Sequence, residues 1–375
     1  MKSAIVVGAG IWGASLALRL ADEGWRVTLV EQYAPGHVRQ ASAGETRLLR
    51  CAHGSDDWYP RMAWRARNGW RDLEERAGEE LYQEAGLMWL AHREDGWESR
   101  SAGVLAALDI PHELLEPAQA EALFPGLRGD DLAFVLWEPN AGVLRARRAT
   151  QVTARLARAA GVRQVRARAA PYGGRRVVAD GEVLAADRVV WACGAWLPGL
   201  FGDRLGVDIE VTRQDTFHFG VPREWSTPPL PAFCDYEQSA YGHGDLDGAG
   251  MKVTSDAEGD PYDPETGGRQ VSAHGEALAR DYLARRFPSL AGAPVVLGQV
   301  CQYALTKDAE WIVAEVEDGV WVLGGDSGHG FKHAPVLAEL VAEILDGTRE
   351  PDARFGLRER QPVRGLRTSG RTAEG

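Results

Sequence analysis

The sequence predicts a mixed fold, α/β plus α+β, in which a Rossmann-type dinucleotide-binding domain is interrupted by a discontinuous β-rich second domain. Three observations lead there. The chain opens with a strand, a glycine turn, a helix and a second strand; strand and glycine-turn signatures return near 186–196 and 320–330; and β-rich segments lie between them. With 375 residues the chain exceeds the size at which one core stops growing, so two domains are expected.

The opening unit is read as a strand at Ala4–Val7, a turn at Gly8–Gly13, a helix at Ala14–Glu23 and a strand at Trp25–Glu31. The turn, Gly8-Ala9-Gly10-Ile11-Trp12-Gly13, is a G-x-G-x-x-G motif. Gly8 permits the tight bend, Gly10 lets backbone N–H groups approach a pyrophosphate, and Gly13 allows the helix to lie close on the strand. Ile11 and Trp12 stand where the helix N-terminus offers partial positive charge to phosphate. Glu31, ending the second strand, is placed to accept hydrogen bonds from ribose hydroxyls. The motif alone leaves NAD and FAD open.

Further along, Pro60–Ala77 reads as a helix, Ala186–Trp191 as a strand running into Ala192-Cys193-Gly194-Ala195-Trp196, Val320–Gly324 as a buried strand and Pro335–Ile344 as an amphipathic helix. These elements assign 1–80, 140–212 and 308–355 to the dinucleotide domain and 81–139 and 213–307 to the second, substrate domain. The Arg- and Gly-rich stretch 356–375 lacks apolar periodicity and is expected to be a flexible tail.

A net charge of −12 argues against nucleic acid as partner, since phosphate recognition needs a basic surface. No run of about 18 uninterrupted apolar residues suggests a membrane span, and the N-terminus lacks signal-peptide features, so a cytoplasmic location is expected. The cysteines Cys51, Cys193, Cys234 and Cys301 are scattered without C-x-x-C spacing, which predicts neither a disulfide framework nor a metal site.

Downstream segments favour FAD. Ala41–Arg50 (ASAGETRLLR), Glu138–Leu144 (EPNAGVL), Cys193–Trp196 (CGAW), Val300–Tyr303 (VCQY) and Gly325–Lys332 (GDSGHGFK) occur in one order. In that order and spacing the chain resembles the monomeric sarcosine oxidase family, within the D-amino-acid oxidase-like flavoproteins, over nearly its whole length apart from the tail. The resemblance implies FAD and a glutathione-reductase-like FAD-binding domain. It implies cofactor contacts from Arg39, Ser42 and Thr46, and from Gly328, His329, Gly330, Phe331 and Lys332, with backbone N–H groups of Ser327–Phe331 aimed at the ring edge where negative charge develops. Cys301 matches the position that attaches flavin covalently through a thioether. Lys252 and Arg47 match cations that serve the reaction with oxygen.

Arg50 and Lys332 match the pair that holds a substrate carboxylate, and the apolar run around Arg50 favours a buried guanidinium. Tyr241 and Tyr303 match aromatic walls of the substrate cavity. Two departures bear on substrate choice: the family's paired histidines are replaced by Ser42-Ala43, and Asp256 stands where the family has a histidine. The expected function is an FAD-dependent oxidase, acting as a monomer, that oxidises the C–N bond of a small N-methyl or secondary amino acid with molecular oxygen as acceptor. Alternatives left open are an oxidase of a cyclic imino acid or natural-product intermediate, an NAD-dependent dehydrogenase, and a non-catalytic flavin-binding redox sensor.

Overall fold

The opening strand, Ser3–Val7, is buried along its whole length, as expected for a parallel strand covered on both faces. It pairs in parallel with Arg26–Glu31 on one side and Arg188–Trp191 on the other. The computed structural model describes residues 1–257 and 259–363. In it the six-stranded sheet runs in the order 312–317, 320–324, 188–191, 3–7, 26–31, 163–166. The 312–317 edge strand is antiparallel to its neighbour, and the other pairings are parallel.

The first helix spans Ile11–Asp22 with Gly10 as its N-cap. It begins at Ile11 rather than at the expected Ala14, because the second half of the glycine motif is itself the first helical turn. The helices Trp58–Ala77 and Ala334–Asp346 contain the predicted segments, each with a proline in its first turn, where the missing N–H costs no intrahelical bond. Leu16, Leu20, Val27, Trp70, Trp311 and Leu340 belong to the core on this side of the sheet.

Strands from 87–138 and 210–305 build a second sheet of eight strands, in the order 295–305, 210–219, 251–255, 240–243, 232–235, 87–91, 134–138, 113–115. Its register sorts the chemistry. Cys301 pairs with Gln214, and Tyr303 with Thr212; His218 pairs with Lys252, and Lys252 with His243; Tyr241 pairs with Cys234, and Cys234 with Trp89. Because side chains alternate with period two, Cys301, Tyr303, Lys252, Tyr241, Cys234 and Trp89 all fall on one face. Phe217, Phe219, Phe233 and Val253 fall on the other and pack with Tyr282 and Leu283 of the helix Ala273–Arg286.

Of the expected tail, residues 356–363 are described, and they are held down. Arg360 is buried and pairs with Asp308, and it donates to the carbonyls of Trp311 and Gly356. The rest of that segment lies outside the described residues. No helix among the described residues is long and apolar enough to cross a membrane.

Candidate active site

The glycine turn forms one wall of a half-open cleft. Gly8 holds φ +100°, and a Cβ there would collide with the carbonyl of Ala192; a Cβ on Gly13 would collide with the carbonyl of Gly8. Both positions therefore require glycine, and the helix N-terminus reaches the cleft floor unobstructed. Ser42 Oγ accepts the N–H of Ile11 at 3.1 Å, bracing the turn from the side. Glu31 lines the same cleft and accepts from the N–H groups of Ala9 (2.8 Å) and Tyr33 (2.9 Å). Burial raises its pKa, and those hydrogen bonds oppose the rise.

The cleft continues from Glu31 past Ser42 and Arg47 to Tyr303, Gly328 and Phe331. Trp12 Nε1 donates to the carbonyl of Gly330 at 3.1 Å, and Phe331 stacks on Trp70, which tie the 328–331 turn to both flanking helices. Within that turn the amides of Ser327 and His329 donate to the carbonyls of Ala304 and Asp326. These two N–H groups are thus committed inside the protein rather than aimed at a ligand, a correction to the sequence expectation. Arg39 and Thr46 fall outside the cleft lining. The Arg39 guanidinium turns to the carbonyl of Pro264, and the Thr46 hydroxyl bonds His243 Nε2 at 2.8 Å.

Cys301 is buried against the lining: Arg47 Nη2 lies 3.1 Å from its sulfur, and the carbonyl of Ala41 lies 3.7 Å away. Lys252 sits across the same sheet face, almost fully buried, with Nζ 3.4 Å from the carbonyl of Thr46 and 5.1 Å from the centre of the Tyr241 ring. Burial, then the charge of Arg47, lower its pKa to about 7. His218 and His243 flank it, and burial with the lysine's charge lowers them to about 4 and about 3, so both are neutral near pH 7, where Lys252 itself titrates.

Beside the cleft lies a second cavity, of about 590 Å³, lined by Arg50, His53, Trp89, Trp97, Tyr236, Tyr241, Asp256 and His329 among others. The Arg50 guanidinium lies over Trp89, 4.8 Å from the ring centre, and donates to the carbonyl of Ala52 at 2.6 Å. Trp97 packs against both Trp89 and Tyr236. Lys332 is buried nearby, with Nζ 3.0 Å from the carbonyl of His329. Tyr303 joins the two spaces, since it lines the cleft while its hydroxyl donates to Asp256 Oδ1 at 2.9 Å.

Sequence reasoning missed the residue that fixes this cavity. Glu138 is buried and accepts from the N–H groups of Cys51 (2.7 Å) and Ala52 (3.1 Å) and from Trp89 Nε1 (2.8 Å). One carboxylate therefore ties the backbone beyond Arg50 to the ring beneath its guanidinium. Its only sequence signal was its place at the head of the Glu138–Leu144 segment. Trp89, Trp97, Tyr236 and His53 carried none.

A glycine-turn cleft whose Tyr303 is bonded to Asp256 of a neighbouring aromatic cavity defines a dinucleotide-binding site with a second space beside it. The chain belongs to the DAO family of FAD-dependent oxidoreductases, whose model matches residues 3–344. It is 30% identical to a monomeric sarcosine oxidase of Streptomyces avermitilis over 92% of this chain and 94% of that one. It is 24% identical to an N-methyl-L-tryptophan oxidase of Salmonella heidelberg over 92% and 94% of the two chains. Among solved structures, an L-proline dehydrogenase from P. horikoshii superposes with a TM-score of 0.84 at 20% identity, covering 95% of this chain and 96% of that one. The protein is an FAD-dependent oxidoreductase of the sarcosine oxidase type.

Proposed function

We propose that this enzyme oxidises the C–N bond of a small amino acid, one bearing a carboxylate and an N-methyl or other secondary amine, to an imine, and reduces oxygen to hydrogen peroxide. The observation that carries this reading is the buried Arg50 guanidinium, braced on Trp89 in an aromatic cavity that meets the dinucleotide cleft at Tyr303. A guanidinium buried there is matched by a carboxylate ligand, whose planar pair of oxygens suits its fork. The names of the two oxidases above, acting on N-methyl amino acids, support the choice of amine.

In this reading segments 1–80, 140–212 and 308–355 hold FAD, with the Gly8–Gly13 turn at the pyrophosphate, Glu31 at the ribose, and Ser42 and the Gly328–Phe331 turn along the cleft. When bound, FAD accepts the hydride equivalent from the carbon next to nitrogen and passes the electrons on. Segments 81–139 and 213–307 carry most of the substrate space. Arg50 and Lys332 hold the carboxylate, and Tyr241 and Tyr303 enclose the amine and exclude water. Arg47, and Lys252 while it is protonated, supply positive charge where oxygen is reduced. Cys301 would tether the cofactor through a thioether to the flavin 8α carbon, the thiol and the 8α-methyl each giving up a hydrogen as the S–H and C–H bonds break, with oxygen taking the two electrons. The enzyme acts as a monomer in the cytoplasm.

The aromatic walls also suit a cyclic imino acid, so product identity is the test. Purified enzyme is incubated with N-methyl and cyclic amino acids, and peroxide and product mass are measured. Peroxide formed in step with an imine product two hydrogens lighter than the amine, or with the hydrolysis products of that imine, is expected. Oxidation without peroxide would overturn the oxidase assignment in favour of a dehydrogenase.

A further inference from the structure

We infer that Glu265 is a positioning residue for the cofactor: it fixes two side chains that wall the adenosine end of the dinucleotide cleft, and so sets how long FAD stays bound. The inference rests on the placement of FAD proposed above and deepens it.

The strand Arg26–Glu31 locates that end. Glu31, the ribose partner in that placement, pairs with Arg166, and the N–H of Ala167 donates to its carbonyl at 3.0 Å. Arg168 is the next residue, so it lines the cleft at the Glu31 end. Trp196, which closes the turn Gly194–Trp196, lines the cleft as well. Glu265 binds both. Its Oε1 accepts from Arg168 Nη1 at 3.0 Å, and its Oε2 accepts from Trp196 Nε1 at 2.9 Å. One carboxylate therefore joins the two walls.

Glu265 reaches them from the side of the eight-stranded sheet. The stretch 259–268 lies between the strand Met251–Ser255 of that sheet and the helix Ala273–Arg286 packed on it. Its base is stapled to the strand Glu210–Phe219, where Tyr262 N–H donates to the carbonyl of Val211 at 2.8 Å and Arg213 N–H to the carbonyl of Asp260 at 2.9 Å. Its tip is stiffened by Asp263, whose Oδ1 accepts the N–H of Glu265 at 2.7 Å and whose Oδ2 accepts the hydroxyl of Thr266 at 2.8 Å. The Arg39 guanidinium, expected to touch the cofactor, instead grips this tip through the carbonyl of Pro264. The carboxylate is thus held on an arm anchored outside the six-stranded sheet. Its pair with Arg168 is exposed and contributes little alone, whereas the part-buried indole bond is directional and carries most of the effect.

FAD release is measured as the rise in free-flavin fluorescence after dilution of FAD-loaded Cys301→Ser protein, in which no thioether can form; Cys301→Ala is a second untethered background. Glu265→Ala is expected to speed release about tenfold, with the visible band of the bound flavin unshifted because the ring end of the cleft is untouched. Glu265→Gln, whose amide oxygen still accepts from the indole, should stay within about threefold of its parent. Trp196→Phe should speed release by itself but add less than about twofold in the Glu265→Ala background, because the two residues act through one bond.

Release unchanged by Glu265→Ala, or effects of the two substitutions that multiply in full, would overturn the inference. Faster release with a shifted flavin band and a lowered denaturant midpoint would overturn it in favour of a general loosening of the fold. In these outcomes the placement of FAD survives. Glu31→Ala releasing FAD at its parent's rate would remove the ribose assignment, and this inference with it.

Discussion

Arg47 Nη2 points at the sulfur of Cys301 across 3.1 Å. Burial alone would lower the pKa of Arg47, but Cys301, Tyr241, Tyr303 and Asp326 outweigh it and the net shift is upward, so the guanidinium stays charged. The sulfur is thereby held beside a fixed cation that lines the cleft. At Cys51 and Cys193 burial pushes the thiols up. Acid-precipitated protein is therefore expected to stay yellow, with an intact mass exceeding the polypeptide by one FAD. Cys301→Ser should release free flavin, Cys51→Ser and Cys193→Ser should not, and Arg47→Met should lower the tethered fraction. Colour lost to the supernatant from the unmutated protein would show a non-covalent cofactor.

Lys252, with a pKa lowered to about 7, is protonated below that pH and neutral above it. If its charge serves oxygen, reoxidation of the reduced enzyme should slow as pH rises through about 7. Lys252→Met should be slow at every pH, with reduction by substrate much less affected. Stopped-flow traces in which both half-reactions fall equally would assign the lysine a structural role.

Arg50→Met should raise the substrate's Kd by about tenfold to a thousandfold while FAD stays bound, because a buried carboxylate loses its charge-assisted partner. Decarboxylated amines reacting as well as the corresponding acids would remove the clamp.

Glu138→Ala leaves the N–H groups of Cys51, Ala52 and Trp89 without their acceptor in a buried site. A loss of about 3 kcal/mol in denaturant unfolding is expected, together with weaker substrate binding as Arg50 loses its support. A stability change within about 0.5 kcal/mol would show that the carboxylate is replaceable.

How much of this was legible follows from the range of the interactions. The Gly8–Gly13 turn and Glu31 could be read directly, because a bend, a helix start and a strand end are decided within about thirty residues. The motif did not announce that the helix begins inside it, since glycine is a poor helix former by local preference. The second cavity was only half visible. Arg50, Lys332, Tyr241 and Tyr303 came from resemblance. Trp89, Glu138 and Asp256 converge through the register of strands drawn from 87–138 and 210–305, and no local pattern encodes such long-range pairing. Arg360 was read as tail because a lone arginine in a Gly- and Arg-rich stretch has no periodicity, and its partner Asp308 is distant in sequence.

Anaerobic mixing of the purified enzyme with N-methyl and cyclic amino acids, followed through the flavin's visible band, tests the central claim most directly. Bleaching by at least one carboxylate-bearing secondary amine, lost in Arg50→Met and reversed when oxygen is admitted, is the result predicted. A flavin that stays oxidised with every amine tried would contradict amine oxidation as the function of this site.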